Sequence, residues 1–249
     1  MDSLIDAETV ERPRALAILV AAVLGFLGGQ VVATLLDALA VRVTHFPGGV
    51  SALSHALSPP WWANALGLVG LWVGFGATIY YAYARAHLRN LPAQWRPRPS
   101  DVWYVVLGVV CQFLVDLAYR PFHVQHLNGP VKHLFGAAHG VTFVLLIMMT
   151  LLVAPVMEEW FFRGVLFRAL SEGGARAGSR ATVIGAVLIS AALFALAHGE
   201  PLQFAGLAFV GIVLAVLVYR TNRLIPSIVT HVSFNGVAIA ALVSQRIGH

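Results

Sequence analysis

The sequence predicts an all-α integral membrane protein, a bundle of about seven transmembrane helices. Of its 249 residues, 59% are hydrophobic and only 11% are charged. A soluble domain carries roughly 25% charged residues, so about half of the usual water-facing side chains are missing. The apolar residues also fall into seven long runs, which are separated by short polar or glycine- and proline-bearing connections. Both features indicate a chain that crosses a membrane repeatedly.

The spans follow one another without an intervening soluble domain. A polar tail, residues 1–14, precedes the first apolar run, which is longer than the ~7–15 apolar residues of a cleavable signal peptide. We therefore expect an uncleaved first span. The predicted spans are 15–40, 61–84, 102–119, 138–170, 181–198, 204–219 and 224–243. We divide them into N-terminal spans within 15–136 and a catalytic core within 137–245.

The distribution of Lys and Arg predicts the orientation of the bundle. With the amino terminus inside, the inner side holds 12 of the 16 basic residues and the outer side holds four. This asymmetry favours an N-in, C-out arrangement in the cell membrane. The formal net charge of +5 is explained by these flanking arginines, so we expect no nucleic-acid partner.

The histidines that precede and begin the fourth span do not resemble a metal site. They are His123, His126, His133 and His139. No carboxylate or cysteine is interleaved with them, so we interpret the segment as a polar interfacial loop. The single cysteine, Cys111, excludes an intrachain disulfide and is typical of a small buried hydrophobe.

A first motif, Glu158-Glu159 followed by Arg163, lies in the predicted fourth span. A charge at a bilayer centre costs about 2.5–3.5 kcal/mol, so such groups usually face the bundle interior and mark function. On a helix, Glu159 and Arg163 stand four residues apart and share a face, so we expect them to pair. Glu158 is rotated by about 100° and lacks that partner. We therefore predict a structural role for Glu159 and a chemical role for Glu158.

Two further polar pairs lie in apolar spans. The second motif is Phe194 with His198, and the third is His231 with Asn235; each pair is spaced i, i+4 and shares one helix face. Together with Glu158 they can perform general acid–base chemistry and donate hydrogen bonds to an oxyanion. Taken singly, each histidine also suits a packing role, and the asparagine suits a hydrogen bond between helices.

Other catalytic patterns are missing from the same helices. No Gly-x-Ser-x-Gly setting surrounds Ser190, Ser227 or Ser233, and serines within membranes usually bond to helix backbones. The His-Glu-x-x-His pattern of many zinc proteases is also absent. The residues alone thus indicate a membrane-buried polar site without naming its reaction.

The three motifs, in this order, resemble those of the CAAX-protease and bacteriocin-processing (CPBP, or Abi) intramembrane endopeptidases. The resemblance covers about residues 140–245. It implies an α-helical membrane protease that hydrolyses a peptide bond of a membrane-associated peptide or protein. It also implies that Glu158 and His198 activate a water, that His231 and Asn235 support the oxyanion, and that Glu159 and Arg163 hold the site together.

The resemblance leaves the metal question open. Members of the family are described both as metalloproteases and as metal-free glutamate proteases. If zinc or another divalent metal binds, Glu158, His198 and His231 are ligands of the right kind. We favour the metal-free version, because no further carboxylate in the motifs looks free to orient the imidazoles, as a metal site usually requires. We therefore assign no required cofactor.

The register of the spans presents a difficulty. If the fourth and fifth spans cross simply, Glu158 lies toward the inner side and His198 toward the outer side. We expect them to meet only if the fourth helix extends to about residue 170 and the fifth is displaced or tilted. We also expect Glu158, His198 and His231 to face one polar cavity, with the active site buried among the last four spans.

Two other classes of function fit the same buried charges. A transporter or channel would use them as a proton relay, although the chain lacks the internal repeat typical of transporters. A non-catalytic membrane scaffold would tolerate replacement of the motif residues. A peptide or protein substrate and the lipid bilayer are the partners that the leading hypothesis predicts.

Overall fold

The computed structural model describes residues 2–86, 88, 92–122, 129–176 and 179–247. Seven of its helices are long and apolar enough to cross a membrane, so the chain is a multi-pass membrane protein. These spans are Ala15–Val43, Trp61–Ala84, Pro99–Phe122, Gly140–Glu172, Arg180–Ala197, Pro201–Thr221 and Ile225–Arg246. The predicted all-α class and the seven predicted spans are therefore confirmed. The N-in orientation stays a prediction.

The helices are numbered along the chain, and short 3-10 turns join several of them. The helices are α1 Asp2–Val43, α2 Gly49–Ser54, α3 Trp61–Ala84, α4 Tyr104–Tyr119, α5 Gly129–Phe135, α6 Gly140–Met148, α7 Ala154–Glu159, α8 Arg168–Arg176, α9 Arg180–Ala197, α10 Phe204–Thr221 and α11 Ile225–Ile247. The segment predicted as a polar tail is the first part of α1. Two segments predicted as loops contain the short helices α2 and α5. Arg89, His123 and His126 lie outside the described residues.

The fourth span is one long composite helix. The π-helical segments Met149–Val153 and Trp160–Phe167 join α6 to α7 and α7 to α8. The span has 33 residues, which at 1.5 Å per residue is about 50 Å and exceeds a bilayer core of about 30 Å. The helix therefore tilts or protrudes, as its predicted length required.

The N-terminal spans support this helix from one side. α1 packs along α3, and both lie against the second π segment. Phe75 of α3 stacks on Phe161 of that segment, with ring centroids 4.1 Å apart. Both rings are buried, together with Ile18 of α1. The first two spans thus form a wall behind the first motif.

α4 supports α11 through a close approach at Gly108. A Cβ added to Gly108 would lie 1.9 Å from Ser233 Oγ and 2.2 Å from the Thr230 carbonyl oxygen. A larger residue would push the two helices apart, which is why small residues are favoured at membrane helix contacts. The contact fixes α11 in the half that carries the third motif.

A buried ion pair holds the start of α11. The guanidinium of Arg223 donates to the carboxylate of Asp101 and to the carbonyl of Arg96. Asp101 and Arg223 are both buried. The backbone N–H of Leu224 also donates to the Gln94 carbonyl at 2.9 Å. From the sequence this segment is only one of the short polar connections between predicted spans. The connection that precedes α4 in fact fixes the position of α11.

Candidate active site

Glu159 and Arg163 form the predicted pair inside the bundle. Arg163 Nη1 donates to Glu159 Oε1 at 2.8 Å, and both side chains are fully buried. Arg163 Nη2 donates to the Gly211 carbonyl at 3.1 Å. Its guanidinium carbon also lies 4.4 Å from the centroid of the Phe194 ring, a cation–π contact. The arginine therefore joins the first motif to α10 and to the second motif.

Glu159 has two more partners, both from α11, that its local sequence does not indicate. His231 Nδ1 lies 3.0 Å from Glu159 Oε1, and Ser227 Oγ donates to Glu159 Oε2. Since a carboxylate accepts, Nδ1 of His231 carries the hydrogen. The partners lie 68 and 72 residues away along the chain, beyond the reach of local spacing. One signal was available: Ser227, His231 and Asn235 recur every four residues and share a face of α11.

Glu158 has no comparable set of partners. Its Oε2 is buried and makes no hydrogen bond within the described residues. The nearest ionisable contact is His231 Nε2, at 3.7 Å, which exceeds hydrogen-bond distance. The Glu158 side chain keeps 13% of its surface accessible, whereas that of Glu159 keeps none. Adjacent glutamates thus lie in different surroundings, one bonded on both oxygens and one available.

His198 is the C-cap residue of α9, and its ring orientation is fixed by the helix itself. Its Nδ1 lies 2.8 Å from the Phe194 carbonyl one turn earlier. A carbonyl only accepts, so Nδ1 donates and Nε2 of the neutral ring is left to accept a proton. The i, i+4 spacing of the second motif therefore positions the ring through the backbone of Phe194. The Phe194 ring meanwhile packs edge-on against His231, with centroids 5.5 Å apart.

Two adjoining cavities meet at Glu158 and His198. One, of about 290 Å³, extends between α4, α10 and α11. The other, of about 690 Å³, extends between α3, α5 and the end of α9. Five residues line both cavities, and we call them the junction: Leu68, Leu134, Glu158, His198 and Glu200. An extended chain that passes from one cavity to the other would cross Glu158 and His198.

The two residues of the third motif, His231 and Asn235, take different positions relative to the cavities. Asn235 lines the smaller cavity together with Glu158 and His198. His231 is only 2% exposed and lies behind Glu158, between the two glutamates, so it contacts the site through Glu158 and not as part of a cavity wall.

The position of Asn235 follows from a proline in the fourth span. In the first π segment the N–H of Ala154 bonds to the carbonyl of Met149, five residues back. The same pattern would pair the next residue, Pro155, with the Thr150 carbonyl, but proline has no N–H. Asn235 Nδ2 donates to that carbonyl instead, at 3.3 Å. One amide hydrogen is thereby used to hold the side chain, and the other is left for a ligand.

Comparison with known proteins yields one family match. Residues 134–237 match the family model described as type II CAAX prenyl endopeptidase Rce1-like. Residues 134–237 are a domain of the Rce1-like type II CAAX prenyl endopeptidase family. Membership of this family implies intramembrane protease activity on a protein substrate. No curated protein and no solved structure matches the chain.

The CAAX endopeptidase domain coincides with the elements that build the site. It runs from the end of α5 to α11 and contains all three motifs. The register difficulty is met within it by the long composite fourth helix, which reaches beyond residue 170, and by the position of His198 at the very end of α9. Glu158 and His198 consequently both lie at the junction.

The described side chains contain no ready metal cluster. No group of three His, Cys, Asp or Glu residues is arranged to hold a metal ion within the described residues. Glu158 and His231 lie close together, but His198 does not complete a set with them. The premise that no carboxylate is free to orient an imidazole was wrong, because Glu159 bonds to His231 as well as to Arg163.

Proposed function

We propose that the protein is an intramembrane endopeptidase in which Glu158 and His198 activate the water that attacks a peptide bond. The substrate is a membrane-associated peptide or protein. The observation that supports the proposal is the junction. Glu158, whose buried Oε2 has no hydrogen-bond donor within the described residues, lines the same two cavities as His198, whose Nε2 can accept a hydrogen bond.

The reaction begins with a water held between Glu158 and His198. The carboxylate and Nε2 accept its hydrogens, and one of the two takes a proton as the oxygen attacks the carbonyl carbon. That step forms a C–O bond and places a negative charge on the former carbonyl oxygen. Return of the proton to the amide nitrogen breaks the C–N bond and releases an amine and a carboxylic acid.

Asn235 stabilises the negative charge directly, and His231 supports it from behind Glu158. Asn235 has a second Nδ2 hydrogen beyond the one held by Thr150. The Nδ1 of His231 donates to Glu159 and its Nε2 lies 3.7 Å from Glu158 Oε2, so the ring packs against Glu158 and fixes the position of its carboxylate. In a known case, one such donor contributes roughly 3–4 kcal/mol to the rate. Glu159 and Arg163 act indirectly, because they hold His231 and the fourth helix in place.

The decisive experiment compares peptide cleavage by the purified wild-type protein and its Glu158→Gln variant in lipid nanodiscs. A quenched fluorescent peptide with an apolar segment reports cleavage. We expect the variant to stay folded and to lose essentially all activity, since glutamine keeps the shape and cannot take a proton. Glu11→Gln, outside the catalytic core, is the matched control and should cleave normally.

The same experiment separates the competing hypotheses. If Glu158→Gln cleaves at nearly the wild-type rate, the mechanism is wrong. If the wild-type protein cleaves no peptide but moves protons or solutes across vesicles, the buried charges serve transport. Full replaceability of Glu158, His198 and His231 would indicate a scaffold.

A further inference from the structure

Glu200 lies at the junction but has no part in the proposed chemistry. It follows His198 by two residues, on the turn that leaves α9. Gly199 between them has φ +66°, a left-handed conformation that favours glycine, and Pro201 begins the next 3-10 turn. This turn reverses the chain within a few residues, so that His198 and Glu200 line the same two cavities.

The carboxylate of Glu200 has no structural task within the described residues. The carboxylate does not cap the 3-10 turn Pro201–Gln203; of Glu200, only the backbone carbonyl takes part, accepting from the N–H of Gln203 at 3.0 Å. No hydrogen bond or ion pair within the described part of the chain involves the side chain, which is half-buried. A carboxylate in that position loses part of its hydration without gaining a protein partner.

The carboxylates that line the two cavities have no lysine or arginine beside them in the lining. Among the described residues that line the cavities, the ionisable groups are the carboxylates of Glu158 and Glu200, the imidazoles of His133 and His198 and the phenol of Tyr119. A peptide that binds by a free terminal carboxylate would therefore meet carboxylates without a compensating cation. A substrate with a positive charge beside the cleaved bond would instead find a partner in Glu200.

We propose that Glu200 is a specificity-determining residue that binds a lysine or arginine side chain of the substrate, close to the cleaved bond. The proposal rests on the proposed endopeptidase function, because the junction is where the peptide would be held. An ammonium or guanidinium group would form a charge-assisted hydrogen bond with the free carboxylate. The endopeptidase then prefers basic sequences over acidic ones at that position.

Matched peptides test the preference. One position on either side of the cleaved bond is varied among lysine, acetyl-lysine and glutamate, so that charge changes at nearly constant length. For the wild-type protein we expect kcat/KM to be about tenfold higher with lysine than with acetyl-lysine, the size of one charge-assisted hydrogen bond. Glu200→Gln should abolish the difference, and Glu200→Lys should favour the glutamate peptide.

A control and a second measurement keep the proposal separate from the proposed function. Asp37→Asn removes one negative charge from the first span, away from both cavities, and should keep the lysine preference. Fluorescence anisotropy measures binding of the same peptides without turnover. It is applied to the Glu158→Gln variant and to the double variant Glu158→Gln/Glu200→Gln. If the wild-type protein cleaves none of the peptides but binding keeps a lysine preference that depends on Glu200, the proposed endopeptidase mechanism alone is refuted. An unchanged charge preference in Glu200→Lys, or equal binding of all three peptides, would overturn the role of Glu200.

Discussion

Removing Arg163 should damage the fold far more than neutralising Glu158. Arg163→Ala leaves the Glu159 carboxylate fully buried without its main counter-charge, and breaking such a pair costs about 3–5 kcal/mol. The hydrogen bond to Gly211 and the contact with the Phe194 ring are lost as well. Glu158→Gln keeps the side-chain shape and breaks no hydrogen bond of Oε2, so we expect a loss below about 1 kcal/mol.

The difference is large enough to measure by thermal unfolding in detergent. For a chain of this size, 1 kcal/mol shifts Tm by about 2–4 °C, so Arg163→Ala should melt roughly 10 °C below Glu158→Gln. Tryptophan fluorescence or light scattering can follow the transition. Peptide cleavage measures a different property: we expect Glu158→Gln to be folded but inactive.

Two further variants identify why Arg163→Ala loses stability. Arg163→Met keeps most of the side-chain volume and removes the charge; it should lose nearly as much stability, because the isolated Glu159 charge sets the cost. Arg180→Ala removes the same side chain from an exposed position at the start of α9 and should melt like the wild-type protein. Comparable melting temperatures for Arg163→Ala and Glu158→Gln would refute the division of roles between the two glutamates.

Three other outcomes follow from the contacts. Ser227→Ala should lower kcat about tenfold, because a hydrogen bond to a charged group contributes about 1.5–3 kcal/mol and this one holds Glu159 against His231. Ser227→Thr should recover part of the lost kcat. A wild-type kcat in the alanine variant would contradict this role of Ser227. Asp101→Asn should lower stability by about 3 kcal/mol, since Arg223 stays buried; an unchanged melting temperature would show that the start of α11 is held otherwise. On the metal-free hypothesis a chelator should leave peptide cleavage unchanged, and loss of activity restored by stoichiometric zinc would overturn it.

The sequence was sufficient for the helices and for one contact of the site. Apolar runs interrupted by arginines and glycines identify membrane spans because the bilayer penalises polar backbone and charge at every position of a span. The pair between Glu159 and Arg163 was predictable because both residues lie on one turn of one helix. Local periodicity determines both.

The remaining contacts depend on how separate helices meet. Asp101 and Arg223 are 122 residues apart, and no pattern in either segment names the other as its partner. The proline at 155 signals that a carbonyl loses its donor, but only the fold shows that Asn235 supplies the replacement. His231 was expected on the cavity wall, whereas packing between the two glutamates places it behind Glu158. Such positions depend on helix rotation and depth, which a spacing argument does not contain.

The contacts among the motifs explain why the three short patterns are informative only together. Phe194 of the second motif touches Arg163 of the first and His231 of the third, and Glu159 bonds to both of those residues. Each buried polar group of this cluster is therefore held by a residue from another motif, and losing one motif would leave the other two with unpaired groups in an apolar interior. Glu158 is the exception, because its Oε2 accepts no hydrogen bond within the described residues. The cluster holds a rigid frame around one carboxylate that is left free for a substrate or a water, which is the condition that hydrolysis requires.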